Sequence, residues 1–460
     1  MKNKMNKIKG LALALFAMLI SLTSCEGEWI DSELNIDPDA PSDVPMNLLL
    51  PGIQQSMGYN LMGNNSVRTN NIWMQIFDGV SRQSFTEARY QLTPADVNNL
   101  WINTYTEMMM NTTILVQKSR MEGSESPHYT GIGQVMQATT LGITTDLFGD
   151  VPFSDAFEGS RGNLTPVYDE QQKVYDTIFT LLDNAVPNLN SSENTFAVSG
   201  DVIYGGNLAK WEKAANSIKA RHYLQLSNVL GNEAYTKALA AAQDGFESNA
   251  DDYLVPFEDS NRNPIFQFME QRGDIRMGAT LVDLLVSNDD PRLEFYVEAN
   301  GDGEFVGSEI GSQNESASAP GPAIAGTDQA VKLMTYSELK FIEAEAHFRL
   351  GQTTEAQAAY EAAVAASLLR VTGEDQSDWI ASNLPGMTLE SILTQKYIDG
   401  VGTNQPYADW RRTGLPSLEL APGAVTSSIP TRFPYAQNEL DYNRANVPTV
   451  TITDKVWWDQ

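Results

Sequence analysis

Apolar residues recur at the 3.6-residue period of an amphipathic helix along most of the chain, and this limits its fold more than any other feature. The periodic stretches are 96–120, 128–147, 167–186, 208–230, 233–242, 277–286, 336–350, 354–368 and 389–398. Boundary residues accompany several of them. Thr93-Pro94 offers an N-cap and a proline at the first helical position. Pro187 is read as stopping the third stretch, and Gly231 as closing the fourth. Between them lie stretches read as irregular, 51–92, 148–166, 245–276, 299–333 and 400–460, rich in Gly, Pro, Asn and aromatics. Residues 311–326, GSQNESASAPGPAIAG, are low in complexity and read as a mobile surface loop. Loops this long in a folded chain usually carry function.

Composition narrows the partners. With 460 residues, 42% of them hydrophobic, the chain can bury roughly three-quarters of its unfolded surface. Asp and Glu number 59 against 30 Lys and Arg, for a net charge of −29. That field repels phosphate, so nucleic acid is excluded as a partner. A single cysteine excludes a disulfide framework and a cysteine-rich metal site. His128, His222 and His347 stand at unrelated spacings and read as structural; no metal or cofactor is expected.

The N-terminus reads as a processing signal. Lys2, Lys4, Lys7 and Lys9 precede the apolar run Leu11–Ile20, which is too short to span a bilayer and fits a secretory signal peptide over 1–24. Leu22-Thr23-Ser24-Cys25 resembles a bacterial lipobox, which implies lipidation of Cys25 and cleavage before it. Loss of the four lysines takes the net charge from −29 to −33. Residues 25–47, with Pro38, Pro41 and Pro45, read as the lipidated cysteine and an extended tether. Residues 48–460 read as a single domain.

One helix pair has a recognisable code. The spacing Ala344…Gly351…Ala356…Tyr360…Ala363 fits a tetratricopeptide repeat, with His347 where an aromatic is usual. Other segments then fall into order: Leu147-Phe148-Gly149-Asp150-Val151-Pro152-Phe153, Thr335-Tyr336-Ser337-Glu338-Leu339, Glu343-Ala344-Glu345-Ala346, Gln395-Lys396-Tyr397-Ile398, Asp409-Trp410-Arg411-Arg412-Thr413-Gly414, Arg432-Phe433-Pro434-Tyr435 and the terminal Val456-Trp457-Trp458-Asp459. Together with the lipobox and tether, this set resembles the SusD/RagB family of outer-membrane nutrient-binding lipoproteins.

The resemblance implies a mainly α, SusD-like fold: degenerate tetratricopeptide-like helix pairs packed against a loop-rich, partly irregular region. It implies a lipid anchor in the outer membrane, facing the cell exterior. Glu26, Glu28, Asp31 and Glu33 after the cysteine resemble the surface-export signal of such lipoproteins. It implies non-covalent capture of an oligosaccharide, or of a peptide, and delivery to a SusC-like TonB-dependent transporter. A structural lid with a degenerate pocket is the third reading.

Candidate ligand residues are sought among aromatics that can stack on sugar rings and polar groups that can meet hydroxyls. Trp73, Gln75 and Phe77, with Arg82 close by, form one candidate, although Ile72, Ile76 and Val80 give the same stretch a core stripe. Asn263, Phe266, Phe268 and Arg272 form the second, read as an extended, Pro-broken loop. Trp101 and Tyr105 read as core, Trp410-Arg411-Arg412 as a packing and ion-pair element, and Trp457-Trp458 as a pin for the C-terminus. Asn300–Glu304 reads as a solvated turn, not a calcium loop, because Gly311 stands where a bidentate Glu belongs. No catalytic residue is assigned. Carboxylate pairs arise by chance among 59 acidic residues, and no nucleophile elbow, phosphate loop or His-Glu-x-x-His occurs.

Overall fold

The helical stretches close into antiparallel pairs, because each must bury an apolar stripe against a neighbour. Helices Pro127–Phe148 and Gln171–Leu189 form one pair. Gln171 Nε2 donates to the Thr145 carbonyl at 2.7 Å, and at the other end Gly131 lies under Leu189, so opposite ends meet. A Cβ at Gly131 would come within 2.7 Å of the Leu189 side chain. Helix 127–148 is buried on nearly every side, with helices Asn111–Lys118 and Leu208–Gln225 also packed on it. A Cβ at Gly142 would meet the His222 ring at 2.5 Å, so glycine there lets helix 208–225 close in.

The computed structural model describes residues 44–460; the expected signal peptide, Cys25 and all of the tether up to residue 43 lie outside the described residues. Residues 46–460 form one unit. Helix Leu208–Gln225 pairs with Asn232–Ala242, and Tyr336–Arg349 with Thr353–Thr372. The last pair buries Ala344, Ala356, Tyr360 and Ala363 between its helices, in the manner of a tetratricopeptide repeat. Side chains cap these helices: Asn207 accepts from the Lys210 amide and Thr335 from the Glu338 amide, each at 3.2 Å.

Buried ion pairs join the pairs. Arg221 binds Glu338 bidentately, both contacts at 2.6 Å. Arg412 binds Glu345 at 2.5 and 2.6 Å and Asp409 at 2.9 Å, and Lys396 also holds Asp409. Arg411 lies between the Tyr407 and Trp458 rings, 4.1 and 4.5 Å from their centroids. Trp458 Nε1 and Tyr175 Oη both donate to Asp146 Oδ1, at 3.1 and 2.6 Å. The motif Trp410-Arg411-Arg412 is thus an internal tie, and it locks the C-terminus in place. Two short antiparallel ribbons complete the fold among the described residues: Phe77–Gly79 with Ile275–Met277, and Tyr253–Val255 with Val331–Met334.

Several expectations fail locally. Residues 51–92 are not irregular: helices Met46–Ser56, Asn65–Trp73 and Arg82–Ala88 occupy much of them, and the first begins inside the stretch read as tether. Helix Gln405–Thr413 lies within 400–460, with Pro406 in its first turn and Gly414 beyond its end at φ +73°. Pro187 does not stop its helix, which runs to Leu189. Pro187 and Asp183 are exposed, so water can meet the freed carbonyl of Asp183, while buried Leu189 draws the last turn onto Gly131. Thr93 does not cap a helix; its amide and hydroxyl donate to Asp96 Oδ2 and close a turn before helix Asn98–Asn103. Part of 311–326 is packed in: Ser318 is fully buried and bonds through its backbone to Val306 and Met277.

Candidate functional site

Two helices with asparagine-rich first turns meet at an open cleft of about 260 Å³. Its wall is made by Asn64, Asn65 and Arg68 of helix 65–73 and its entry, and by Asn99, Leu100 and Asn103 of helix 98–103. Asn60, Gln83 and Asp96 complete it. Helix 65–73 is buried from Ser66 to Trp73, so only Asn64 and Asn65 at its entry stay half-exposed, while Leu100 and Trp101 of helix 98–103 turn into the core and leave Asn99 on its open face.

A network fixes the wall. Asn65 Nδ2 donates to the Asp96 carbonyl at 2.9 Å, and Asn103 Nδ2 to Asn60 Oδ1 at 3.0 Å. Asn60 in turn donates to Glu107 Oε2 at 2.9 Å. Asn99 is exposed. Each amide carries both a donor and an acceptor, which is the complement of a hydroxyl. Arg68 is 7% exposed, and its guanidinium lies 3.9 Å from the centroid of the Phe268 ring. Its contact to Asn64 Oδ1 is long, 3.4 Å, and its buried Nε has no partner. Burial pulls the Arg68 pKa down, with Glu87 nearby opposing the shift. Such a wall can receive a neutral, hydroxyl-rich molecule and donate from Arg68 to one of its oxygens.

The residues selected from the sequence divide into two groups. Trp73 and Phe77 are fully buried, so neither can offer a face to a ligand. Trp73 packs edge-on against Tyr407 and Phe433 and donates to the Glu87 carbonyl at 3.1 Å. Phe77 sits in a ribbon opposite Met277. Gln75 donates to the Glu419 carbonyl and accepts from Thr280, which occupies its amide. Asn263 caps helix Pro264–Gln271, accepting from the Ile265 and Phe266 amides. The second candidate is therefore a helix, not an extended loop, because asparagine followed by proline opens one.

The other four reach the surface. Phe266 and Phe268 are half-buried, Phe268 beneath Arg68 and Phe266 beside Arg262. Arg82 and Arg272 are exposed and share the buried carboxylate of Asp274, at 3.1 and 2.8 Å. Sequence reasoning that sought aromatic platforms passed over Asn60, Asn64, Asn65, Asn99, Asn103 and Arg68. The visible signal was the density of asparagine near residues 60–65 and 98–103.

Among the described residues no group of three His, Cys, Asp or Glu side chains is placed to hold a metal, and no helix is long and apolar enough to cross a membrane. Asn300 Oδ1 closes its own turn by accepting from the Asp302 and Glu304 amides.

The helix pairs and the buried arginine ties define a fold of the SusD type. Residues 38–436 match the family model described as SusD-like, starch-binding and associating with the outer membrane, and the chain belongs to that family. Similar solved structures include a chitin-binding protein, 27% identical over 90% of this chain and 100% of its own, with a TM-score of 0.79. A chitin-binding SusD homologue from Flavobacterium johnsoniae is 22% identical over 90% and 98%, with a TM-score of 0.78. A SusD/RagB family protein from Bacteroides thetaiotaomicron is 22% identical over 91% and 99%, with a TM-score of 0.76. No curated protein matches the chain. SusD-like proteins are binding proteins of the outer membrane, and the mainly helical fold expected from the sequence is the one found.

Proposed function

We propose that the protein captures an oligosaccharide without covalent chemistry in the cleft between helices 65–73 and 98–103. The observation that carries this is the wall of asparagine amides around a buried, under-bonded Arg68. Its family and its chitin-binding structural neighbour support a glycan as the ligand class. Phe268 backs the arginine, with Arg272 and Arg82 held near it on Asp274. The lipobox at Cys25 supports anchoring to the outer membrane at the cell exterior, and family membership supports hand-over to a SusC-like TonB-dependent transporter. Titration calorimetry against maltohexaose, an N-acetylglucosamine hexamer and a protein digest tests the ligand class. Saturable heat from a saccharide is expected. Heat from the digest alone would move the protein to peptide capture, and silence with retained transporter binding would make it a lid.

A further inference from the structure

Beside the cleft, two exposed arginines share one buried carboxylate. Arg82 Nη1 lies 3.1 Å from Asp274 Oδ1, and Arg272 holds Asp274 Oδ2 through Nε at 2.9 Å and Nη2 at 2.8 Å. The Asp274 side chain is fully buried, whereas those of Arg82 and Arg272 are 61% and 39% exposed. Two guanidiniums on one carboxylate leave a surplus positive charge, and among the described residues neither arginine pairs with a second acid. Arg82 Nη1 also donates to the Arg272 carbonyl at 3.4 Å. Among the described residues this leaves Arg82 Nε and Nη2 and Arg272 Nη1 without a partner. The chain as a whole carries −29, but that field is screened beyond about 8 Å at physiological ionic strength, so the local surplus decides what binds here.

The pair adjoins the cleft from two sides. Arg82 directly precedes Gln83, which lines the cleft. The Arg272 amide donates to the Phe268 carbonyl at 2.8 Å, and the Phe268 ring carries the guanidinium of Arg68, another residue of the cleft wall.

We propose that Arg82 and Arg272, oriented by Asp274, form an anion subsite at the rim of the cleft, and that the captured saccharide places a uronate carboxylate there. This rests on the reading of the cleft as a saccharide site. The asparagine amides meet hydroxyls, and the free guanidinium N–H groups meet the carboxylate of an acidic sugar unit. A carboxylate suits them because a guanidinium is a planar fork that pairs with two oxygens at once, and both forks already hold one such group. Asp274 keeps the two like charges side by side and fixes their direction before the ligand arrives.

The test is calorimetry of the full chain with hexamers of galacturonate and of mannuronate, each beside its neutral methyl ester, and with maltohexaose and the N-acetylglucosamine hexamer. Esterification removes the charge and leaves the hydroxyls. At least one uronate hexamer should bind about tenfold more tightly than its ester, the scale of one charge-assisted hydrogen bond. Arg82→Gln and Arg272→Gln should each remove most of that gain and leave the affinity for the ester unchanged. Arg82→Lys, which keeps a cation beside Asp274 without the fork, should restore only part of it. Melting temperatures identify a variant that fails to fold; if Arg272→Gln fails, the more exposed Arg82→Gln decides. Equal affinity for acid and ester, a gain that survives both Gln variants, or binding of the neutral hexamers alone overturns the anion subsite and leaves the cleft intact. A sulfated maltohexaose that binds where neither uronate does overturns the carboxylate as the ligand group. Uronate binding that Arg82→Gln weakens and Asn99→Ala does not overturns the cleft reading and leaves the arginine pair standing. Silence from every saccharide overturns both.

Discussion

Trp73 shows how one residue's surroundings decide its role. Its ring is fully buried against Tyr407 and Phe433, and its indole N–H is already spent on the Glu87 carbonyl. Trp73→Ala should cost roughly 3–5 kcal/mol of stability, read as a fall in the denaturation midpoint. A variant of unchanged stability would mark the ring as surface. Glu87 gives a second prediction at this scale. Its carboxyl titrates near 7 in the folded chain against an ordinary 4.5. The folded state therefore holds the proton more tightly, and the stability this contributes is present below 4.5 and lost as pH rises to 7. His222 runs the other way: burial lowers it from 6.5 to about 3, so its contribution is present above 6.5 and lost as pH falls towards 3. Glu87→Gln should remove the first slope and leave the second, which denaturation at pH 5 and 8 reads directly. An unchanged pH profile in that variant would contradict the burial of Glu87.

At the scale of elements, the ties between helices matter more than any one helix. Glu345 is fully buried, and Arg412 meets it bidentately while also holding Asp409. Glu345→Gln should destabilise by about 3 kcal/mol, because it leaves a buried guanidinium short of its counter-charge. A loss near zero would place the pair in contact with water. These elements also show what the sequence made legible. A periodic stretch such as 167–186 could be read, because a helix that buries one face repeats its apolar residues. Helices 46–56 and 65–73 were hidden, since tertiary burial of Val67 and Ile72 overrides a local run of asparagine, glycine and proline. Helix 405–413 carried a proline at its start and a glycine past its end, and both signals could have been read. The cleft was less legible still: asparagines 60, 64, 65, 99 and 103 belong to separate segments, and only packing brings them to one wall.

At the scale of the whole molecule, a strongly acidic helical scaffold presents one amide-lined cleft. The N-terminal lipobox would tie it to the outer membrane. Cys25→Ala should shift the protein from the membrane to the soluble fraction, with its melting temperature unchanged, in cells lacking the transporter. Retention in the membrane fraction would refute the lipid anchor. The central claim is that the cleft holds the saccharide, and Asn99 tests it most directly because it is exposed and its loss should change stability by no more than ~0.5 kcal/mol. The measurement is a calorimetric titration of Asn99→Ala beside the wild type, at pH 5.5, with the saccharide that binds. A five- to tenfold weaker dissociation constant, about 1–1.5 kcal/mol for one lost hydrogen-bonding amide, is the result this account predicts. Equal affinity in the two proteins would place the ligand elsewhere.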